Sequence, residues 1–404
     1  MNDRTRRAKR TYEEVNRRLR ALVLPFFLNG WEEESMPPAA KPYRNKQLVE
    51  LASMEYELRT GRHYMAAIDT LYQNRADLSP VLRHEAEVAK LAAEKIARIP
   101  KEEYLAYQNV LLECYPQKFV LAKTTGNFGE VKPYLKKIIE YNRKYVEWEQ
   151  TESLKGYDVL LDEYEKGMTA AKYDEFFGLI KRELVPFIRR ALAAQQPVHP
   201  AFLTRSFPVE KQKKFCEYLA GVMLFDKNKT MMGESEHPYT NNNGNCDVRI
   251  TNHYYEGDLA SAIFSAIHEM GHGLYELQVA DDLQETMSGG GASMALHESQ
   301  SRFFENNVGR SRPFWERHFP VLKDTFSEEL EGVTLDDFMH YINHTQASLI
   351  RTDADELTYP LHVLIRYEIE KGMFDGTVNE ENIEEVWNGK YKEYLGLDVP
   401  DAGM

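Results

Sequence analysis

His268-Glu269-Met270-Gly271-His272 forms an HExxH pattern, and these residue types suit a metal site. On a helix, positions i and i+4 share a face, so His268 and His272 can offer imidazole nitrogens to one divalent ion, zinc above all. Glu269 lies one step round the helix. It is placed to reach the water that such an ion activates rather than the ion itself. The surroundings support a helix. Leu259, Ala262, Ile263, Ala266, Ile267 and Met270 form an apolar stripe, and Asp258 stands at the N-cap position. Two surface histidines explain the pattern poorly, because the stretch is apolar and unpartnered buried imidazoles are costly.

A catalytic zinc takes three protein ligands and keeps one position open. Gln278 stands where an HExxHxxGxxH pattern would put a third histidine. The next candidate is Glu298, within Ala295-Leu296-His297-Glu298-Ser299-Gln300. That run follows Gly289-Gly290-Gly291 and opens a helical stretch to about Val308. His, His and Glu from two helices make up a catalytic zinc set. His297 competes, but on a helix it points about 100° away from its neighbour, which favours Glu298. Gly271 and Gly273 each cost about 1 kcal/mol against Ala inside a helix. Either they let substrate or backbone approach closely, or they allow tight helix packing.

The elements that must position these residues are mostly helical. Helical spacing of apolar residues covers 3–29, 43–74, 80–98, 101–124, 130–150, 169–194 and 208–224. Pro37 and Pro38 close the first run, and Ser79-Pro80 and Ile99-Pro100 separate later ones. Only 237–257 reads as extended. Asn241 to Asn245 predicts a turn, and Val248, Ile250 and Tyr254 then alternate with polar residues as in a half-buried strand. No repeat or low-complexity linker divides the chain. The expected architecture is mainly α: one helical domain over 1–404 with a small sheet near residue 240.

The chain has 404 residues and 43% hydrophobic residues, enough for a substantial core. Its 50 Lys+Arg against 64 Asp+Glu leave a net charge of −14, which repels phosphate backbones and argues against a nucleic-acid partner. The basic residues among the first 20 read as a solvated helix face. Cys114, Cys216 and Cys246 are an odd number without a CxxC pair, which suits a reducing compartment. No apolar stretch follows the basic N-terminus, and no run approaches the ~18 apolar residues of a membrane span. A soluble cytoplasmic protein is expected.

Several segments together resemble the carboxypeptidase Taq family of metallocarboxypeptidases. Asp247-Val248-Arg249-Ile250-Thr251 looks like its DxRxT, and His268 to His272 like its HExxH. His297-Glu298-Ser299-Gln300 looks like its HESQ, and Ile350-Arg351-Thr352-Asp353-Ala354-Asp355 like its IRxxAD. His237-Pro238-Tyr239 stands where the family usually has His-Pro-Phe, and Trp31 with Met36-Pro37 is similar to a segment near its N-terminus. The resemblance covers essentially the whole chain. It implies a neurolysin-like helical fold with a deep groove, a homodimer, His268, His272 and Glu298 as metal ligands, and Glu269 as the base. Family members usually continue into a GxxQDxHW motif and a further helical segment. This chain ends at Asp401-Ala402-Gly403-Met404, about where that motif begins. It reads either as a truncated form or as a natural short form, one that lacks part of the groove but no zinc ligand.

The resemblance implies hydrolysis of the C-terminal peptide bond of peptides with a free C-terminus, with zinc, cobalt or another divalent ion as cofactor. Glu269 would take a proton from the water and pass it to the leaving amine. Tyr359, His362 and His237 are candidate oxyanion donors; each is equally readable as a core residue. Arg249 or Arg351 would read the terminal carboxylate, unless it pairs with Asp247, Asp353 or Asp355. Asp247 and Thr251 would shape the site, and the 247–251 strand can offer its edge to a peptide backbone. Two alternatives stand beside this reading: a zinc oligopeptidase that cuts internally, and a metal-binding chain without activity.

Overall fold

The computed structural model describes residues 1–33, 35–352 and 354–400, and these fall into two compact units. The first comprises Met1–Glu163 with Val279–Gly290, and the second Tyr164–Gln278 with Gly291–Pro400.

The first unit is built from helices α1 (Asp3–Glu32), α2 (Lys41–Thr60), α3 (Arg62–Gln73), α4 (Pro80–Arg98), α5 (Lys101–Glu113), α6 (Val120–Thr125), α7 (Lys132–Glu149) and α8 (Asp158–Tyr164). Tyr12 and Leu19 of α1, Ile68 and Leu71 of α3, and Ala86 and Ala89 of α4 form one buried cluster. Ser79 caps α4 by accepting from the Leu82 N–H, with Pro80 in the first turn where its missing N–H costs nothing. The expected run over 43–74 breaks at Gly61, whose extended backbone separates α2 from α3. On α1, Arg4, Arg6, Arg7, Arg10, Arg17 and Arg18 are exposed, as expected of a solvated face. Val279–Gly290, which follows the HExxH helix in the chain, is fixed within this unit. Arg20 donates to the Gln284 carbonyl at 3.1 Å, and the buried Glu85 carboxylate accepts from the Met287 N–H at 3.1 Å.

The second unit contains α9 (Ala170–Leu179), α10 (Val185–Ala194), α11 (Ala201–Thr204) and α12 (Val209–Val222), then strands β1 (Thr230–Glu234), β2 (Thr240–Asn242) and β3 (Val248–Asn252). Helices α13 (Leu259–Leu277), α14 (Met294–Arg302), α15 (Arg312–Thr325), α16 (Leu335–Ile342), α17 (Tyr359–Asp375) and α18 (Ile383–Leu395) follow. The sheet order is β1-β3-β2. β1 runs parallel to β3 with Thr230 opposite Val248, and β2 antiparallel with Thr240 opposite Ile250. The expected strand is β3, but Tyr254 lies beyond its end. Asn241 and Asn242, expected in the turn, are paired in β2 instead. β1 goes beyond the sequence expectation, because no residue of Thr230-Met231-Met232-Gly233-Glu234 is fully buried and no alternation marks it.

Helix α13 is the spine of this unit. Asp258 caps it by accepting from the N–H groups of Ala260 and Ser261 at 3.0 and 3.1 Å. Leu259, Ala262, Ile263, Ala266, Ile267 and Met270 join Val248, Ile250, Phe215, Trp315 and Phe338 in the core. After α14 the chain widens into a π turn over Phe303–Gly309, and the buried Trp315 indole donates to the Gly309 carbonyl at 2.6 Å. The two glycines of the HExxH helix are packing devices. A Cβ on Gly271 would lie 2.8 Å from Ser301 Cα of α14, and one on Gly273 would lie 2.7 Å from the Phe225 ring. Among the described residues, no helix is long and apolar enough to cross a membrane.

The Gly271 contact is with backbone, which cannot swing aside. Gly271→Ala is therefore expected to lower stability by about 1–3 kcal/mol in denaturant unfolding. An unchanged midpoint would contradict this packing account.

Candidate metal centre

His268 and His272 face the same way from α13, two positions of one helical face. Glu298 comes from the middle of α14, whose first turn Ser293 caps by accepting from the Leu296 N–H at 3.2 Å. Gly271 lets the two helices approach closely. Glu298 Oε2 lies 3.8 Å from His268 Nε2 and 3.5 Å from His272 Nε2. One donor atom from each of the three residues lies within 4.8 Å of the others, the only such group among the described residues.

The hydrogen bonds behind these donors decide which atoms are free. His268 Nδ1 lies 2.8 Å from Glu305 Oε2. Burial works to raise the Glu305 carboxyl, but His268, Arg302 and Arg310 outweigh it and the net shift is downward, so Glu305 is an ionised acceptor. His268 must then donate from Nδ1, which in the neutral imidazole leaves Nε2 as a lone pair. The net shift of His268 is upward: burial opposes the charge, but Glu305, Glu269 and Glu298 favour it more. His272 is arranged through a second imidazole. Its Nδ1 lies 2.6 Å from His297 Nδ1, and His297 Nε2 lies 2.8 Å from Glu276 Oε1. Glu276 also accepts from the Gly291 N–H at 3.0 Å and from Asn242 Nδ2 at 3.1 Å. Burial pushes Glu276 up, but His297 and these donors bring it below the usual range. An ionised Glu276 needs a hydrogen on His297 Nε2. With that hydrogen alone on His297, its Nδ1 accepts from His272 Nδ1 and the His272 Nε2 lone pair is free.

The third donor is fixed in the same manner. Arg302 Nε donates to Glu298 Oε1 at 3.0 Å and its Nη1 to Glu305 Oε2 at 3.0 Å, so Oε2 of Glu298 is the oxygen turned to the histidines. Two imidazole lone pairs and one carboxylate oxygen are a donor set that fits a divalent ion such as zinc or cobalt. Beside them, Glu269 is buried, with Oε2 held at 2.6 Å by the Thr240 hydroxyl. Burial raises its carboxyl, partly offset by His268 and Thr240.

The other expected residues are distributed unevenly. Arg249 is occupied by Asp247 in a two-bond fork, Nε to Oδ1 at 2.7 Å and Nη2 to Oδ2 at 2.8 Å. Thr251 is buried; its Oγ1 accepts from the Tyr239 N–H at 3.0 Å and lies 2.5 Å from Ser235 Oγ, so it ties β3 to the preceding loop. His237 is exposed, and its carbonyl accepts from Ser235 Oγ at 2.7 Å. His362 is fully buried in α17 against the Tyr391 hydroxyl at 3.1 Å, and burial holds its pKa down at about 4. It is a neutral core residue. Tyr359 lies close to the donor set: the Arg302 guanidinium stacks 3.7 Å from its ring centroid, and Arg351 Nη1 donates to its hydroxyl at 2.6 Å. Asp355 accepts from the N–H groups of Gln346, Leu357 and Thr358. Asp353 lies outside the described residues.

Sequence reasoning does not single out Thr240, Glu276, Arg302 or Glu305. Three of them carry a spacing signal. Glu276 is four residues beyond His272, and Arg302 and Glu305 are four and seven beyond Glu298, on the ligand faces of their helices.

Burial works to raise Glu298 too, but His272, His268 and Arg302 outweigh it and pull its pKa from 4.5 to about 2. The folded value lies below the unfolded one. Its contribution to the metal-free protein is therefore full above about 4.5 and lost as the pH falls toward about 2. Glu298→Gln is expected to make the acid limb of the metal-free stability curve shallower in that window. A limb as steep as that of the unsubstituted protein would count against the arrangement.

The model for the carboxypeptidase Taq (M32) metallopeptidases matches residues 24–404. Carboxypeptidase 1 of Bacillus subtilis (strain 168) is 35% identical over 372 residues, which are 92% of this chain and 74% of that protein. Thermostable carboxypeptidase 1 of Thermus thermophilus is 32% identical over 391 residues, 93% of this chain and 75% of that protein. The crystal structure of BsuCP matches with a TM-score of 0.92 at 32% identity, covering 100% of this chain and 80% of that one. That of the M32 carboxypeptidase from Deinococcus radiodurans R1 matches with a TM-score of 0.87 at 32% identity and the same coverage, 100% and 80%. Membership of a metallopeptidase family implies a divalent metal, and the His268, His272 and Glu298 donors fit one. The chain belongs to the carboxypeptidase Taq (M32) family and is a metal-dependent peptide hydrolase of the metallocarboxypeptidase class.

Proposed function

We propose that this chain is a zinc-dependent carboxypeptidase that removes C-terminal residues from peptides, with cobalt or another divalent ion able to take the same site. The observation that carries the reading is the convergence of His268 Nε2, His272 Nε2 and Glu298 Oε2, with the buried carboxylate of Glu269 next to them in sequence. A divalent ion held there would acidify a water and polarise the scissile carbonyl. Glu269 takes the proton from the attacking water and returns it to the leaving amine. Burial raises its carboxyl toward the range in which one group can do both.

Arg351 is the better candidate for the substrate's terminal carboxylate. Arg249 already spends its fork on Asp247, whereas Arg351, among the described residues, is anchored by one Nη1 bond to Tyr359. Tyr359 is the better oxyanion donor, since its ring stacks on the arginine that holds Glu298, while His362 is sealed in the core. Asp247 and Thr251 shape the site by ordering β3 and the loop beside it.

The family match over residues 24–404 supports a single catalytic domain over 1–404. A cytoplasmic location is supported by three unpaired cysteines. Assembly as a homodimer rests on the family resemblance alone.

Mass spectrometry of one peptide supplied as free acid and as C-terminal amide, with added zinc or cobalt, tests the reading. The free acid is expected to lose residues stepwise and the amide to persist. A chelator abolishes the reaction, and Glu269→Gln lowers it by about 10²–10⁴-fold. Internal cleavage of both peptides would replace the carboxypeptidase with an oligopeptidase. No cleavage by folded, metal-loaded protein would overturn the activity.

A further inference from the structure

We propose that Thr240 is a positioning residue for the hydrolysis: its hydroxyl ties down Oε2 of Glu269 and so makes Oε1 the oxygen that carries the proton. The inference rests on the reading of Glu269 as the base.

Thr240 Oγ1 lies 2.6 Å from Glu269 Oε2 and 3.0 Å from the Glu269 backbone carbonyl. A hydroxyl has one hydrogen to give. At 2.6 Å against 3.0 Å the carboxylate oxygen is the nearer acceptor and takes it. Among the described residues no other hydrogen bond reaches this carboxylate. A glutamate side chain has three rotatable bonds to be held. The Thr240 hydroxyl fixes its tip.

Thr240 is itself well anchored. It pairs in the sheet opposite Ile250, which is fully buried beneath α13, so strand and helix share one core. Two residues on, Asn242 of the same strand holds Glu276, the carboxylate behind His297 and His272. β2 thus addresses two carboxylates of α13 spaced two helical turns apart.

The proton path follows. As the water oxygen bonds to the scissile carbonyl carbon, its proton passes to Oε1, because Oε2 is already engaged. The same proton then goes from Oε1 to the amide nitrogen as the C–N bond breaks, leaving a shortened acid, a free amine and the carboxylate restored. While Oε1 is protonated, Oε2 is a weaker acceptor. The backbone carbonyl at 3.0 Å then offers the hydroxyl an alternative, so it has an acceptor in both states.

A threonine that merely stapled β2 to α13 would act through stability. Thr240→Val keeps the shape and removes the hydroxyl, and Thr240→Ser keeps the hydroxyl. With a free-acid peptide, Thr240→Val is expected to lower kcat by about 10–100-fold. KM, the zinc-binding constant from calorimetry and the thermal midpoint should stay near those of the unsubstituted protein, and Thr240→Ser should restore most of kcat. Thr240→Ala reads the same loss should the valine variant fail to fold. Unchanged kcat in Thr240→Val, equal loss in Thr240→Ser, or loss that only tracks zinc binding or the midpoint would overturn the proposal. Glu269→Gln, run alongside, separates the two levels. If it keeps full kcat, the base assignment falls and Thr240's role with it. If it is inactive while Thr240→Val is at full rate, only Thr240's role falls.

Discussion

Each group turned toward the candidate metal position is free at one polar atom because its other polar atom is tied down. His268 is held at Nδ1 by Glu305, His272 at Nδ1 by His297, and Glu298 at Oε1 by Arg302. Glu269 follows the same pattern at Oε2 through Thr240. Imidazoles and carboxylates are ambidentate, and a site built from them has a definite set of lone pairs only when the unused atoms are committed elsewhere. The surrounding structure can be understood as what it takes to bring four anchors to three donors and the carboxylate beside them.

Three features of the fold do this. Gly271 allows α13 and α14 to close until a Cβ would meet Ser301 Cα at 2.8 Å, which brings Glu298 beneath the histidines. The helical face that carries the ligands also carries their anchors, Glu276 after His272 and Arg302 with Glu305 after Glu298. The sheet supplies the rest from one short strand, Thr240 and Asn242. Arg302 is shared: it bonds Glu298 and Glu305 and stacks on Tyr359, which in turn holds Arg351. A chain of contacts therefore connects the third donor to the arginine best placed to read a substrate carboxylate.

Much of this is legible in the chain. The HExxH spacing, its apolar stripe and the Asp258 cap identify α13 from sequence alone. Neighbours on a helix diverge, which favours Glu298 over His297 as the third donor, and His297 does stand behind His272. What stays hidden has physical reasons. β1 has no buried alternation and gains its order from parallel pairing with β3, a non-local contact. Thr240 sits 29 residues before Glu269, and a threonine in a polar stretch carries no distinctive signal. Whether Gly271 and Gly273 serve substrate or packing depends on the neighbours themselves, Ser301 and Phe225, which no spacing rule names. Arg249 is readable from sequence as a partner of Asp247 or of substrate, and only the two-bond fork distinguishes them.

The central claim is that the anchors preset which atoms meet the ion. Anomalous diffraction at the zinc edge, on crystals of this chain grown with zinc, reads those atoms directly. The account predicts one strong peak at bonding distance from Nε2 of His268, Nε2 of His272 and one oxygen of Glu298, with Nδ1 of both histidines still on Glu305 and His297. A peak bound through either Nδ1, a peak held by other residues, or no peak in folded protein would contradict it.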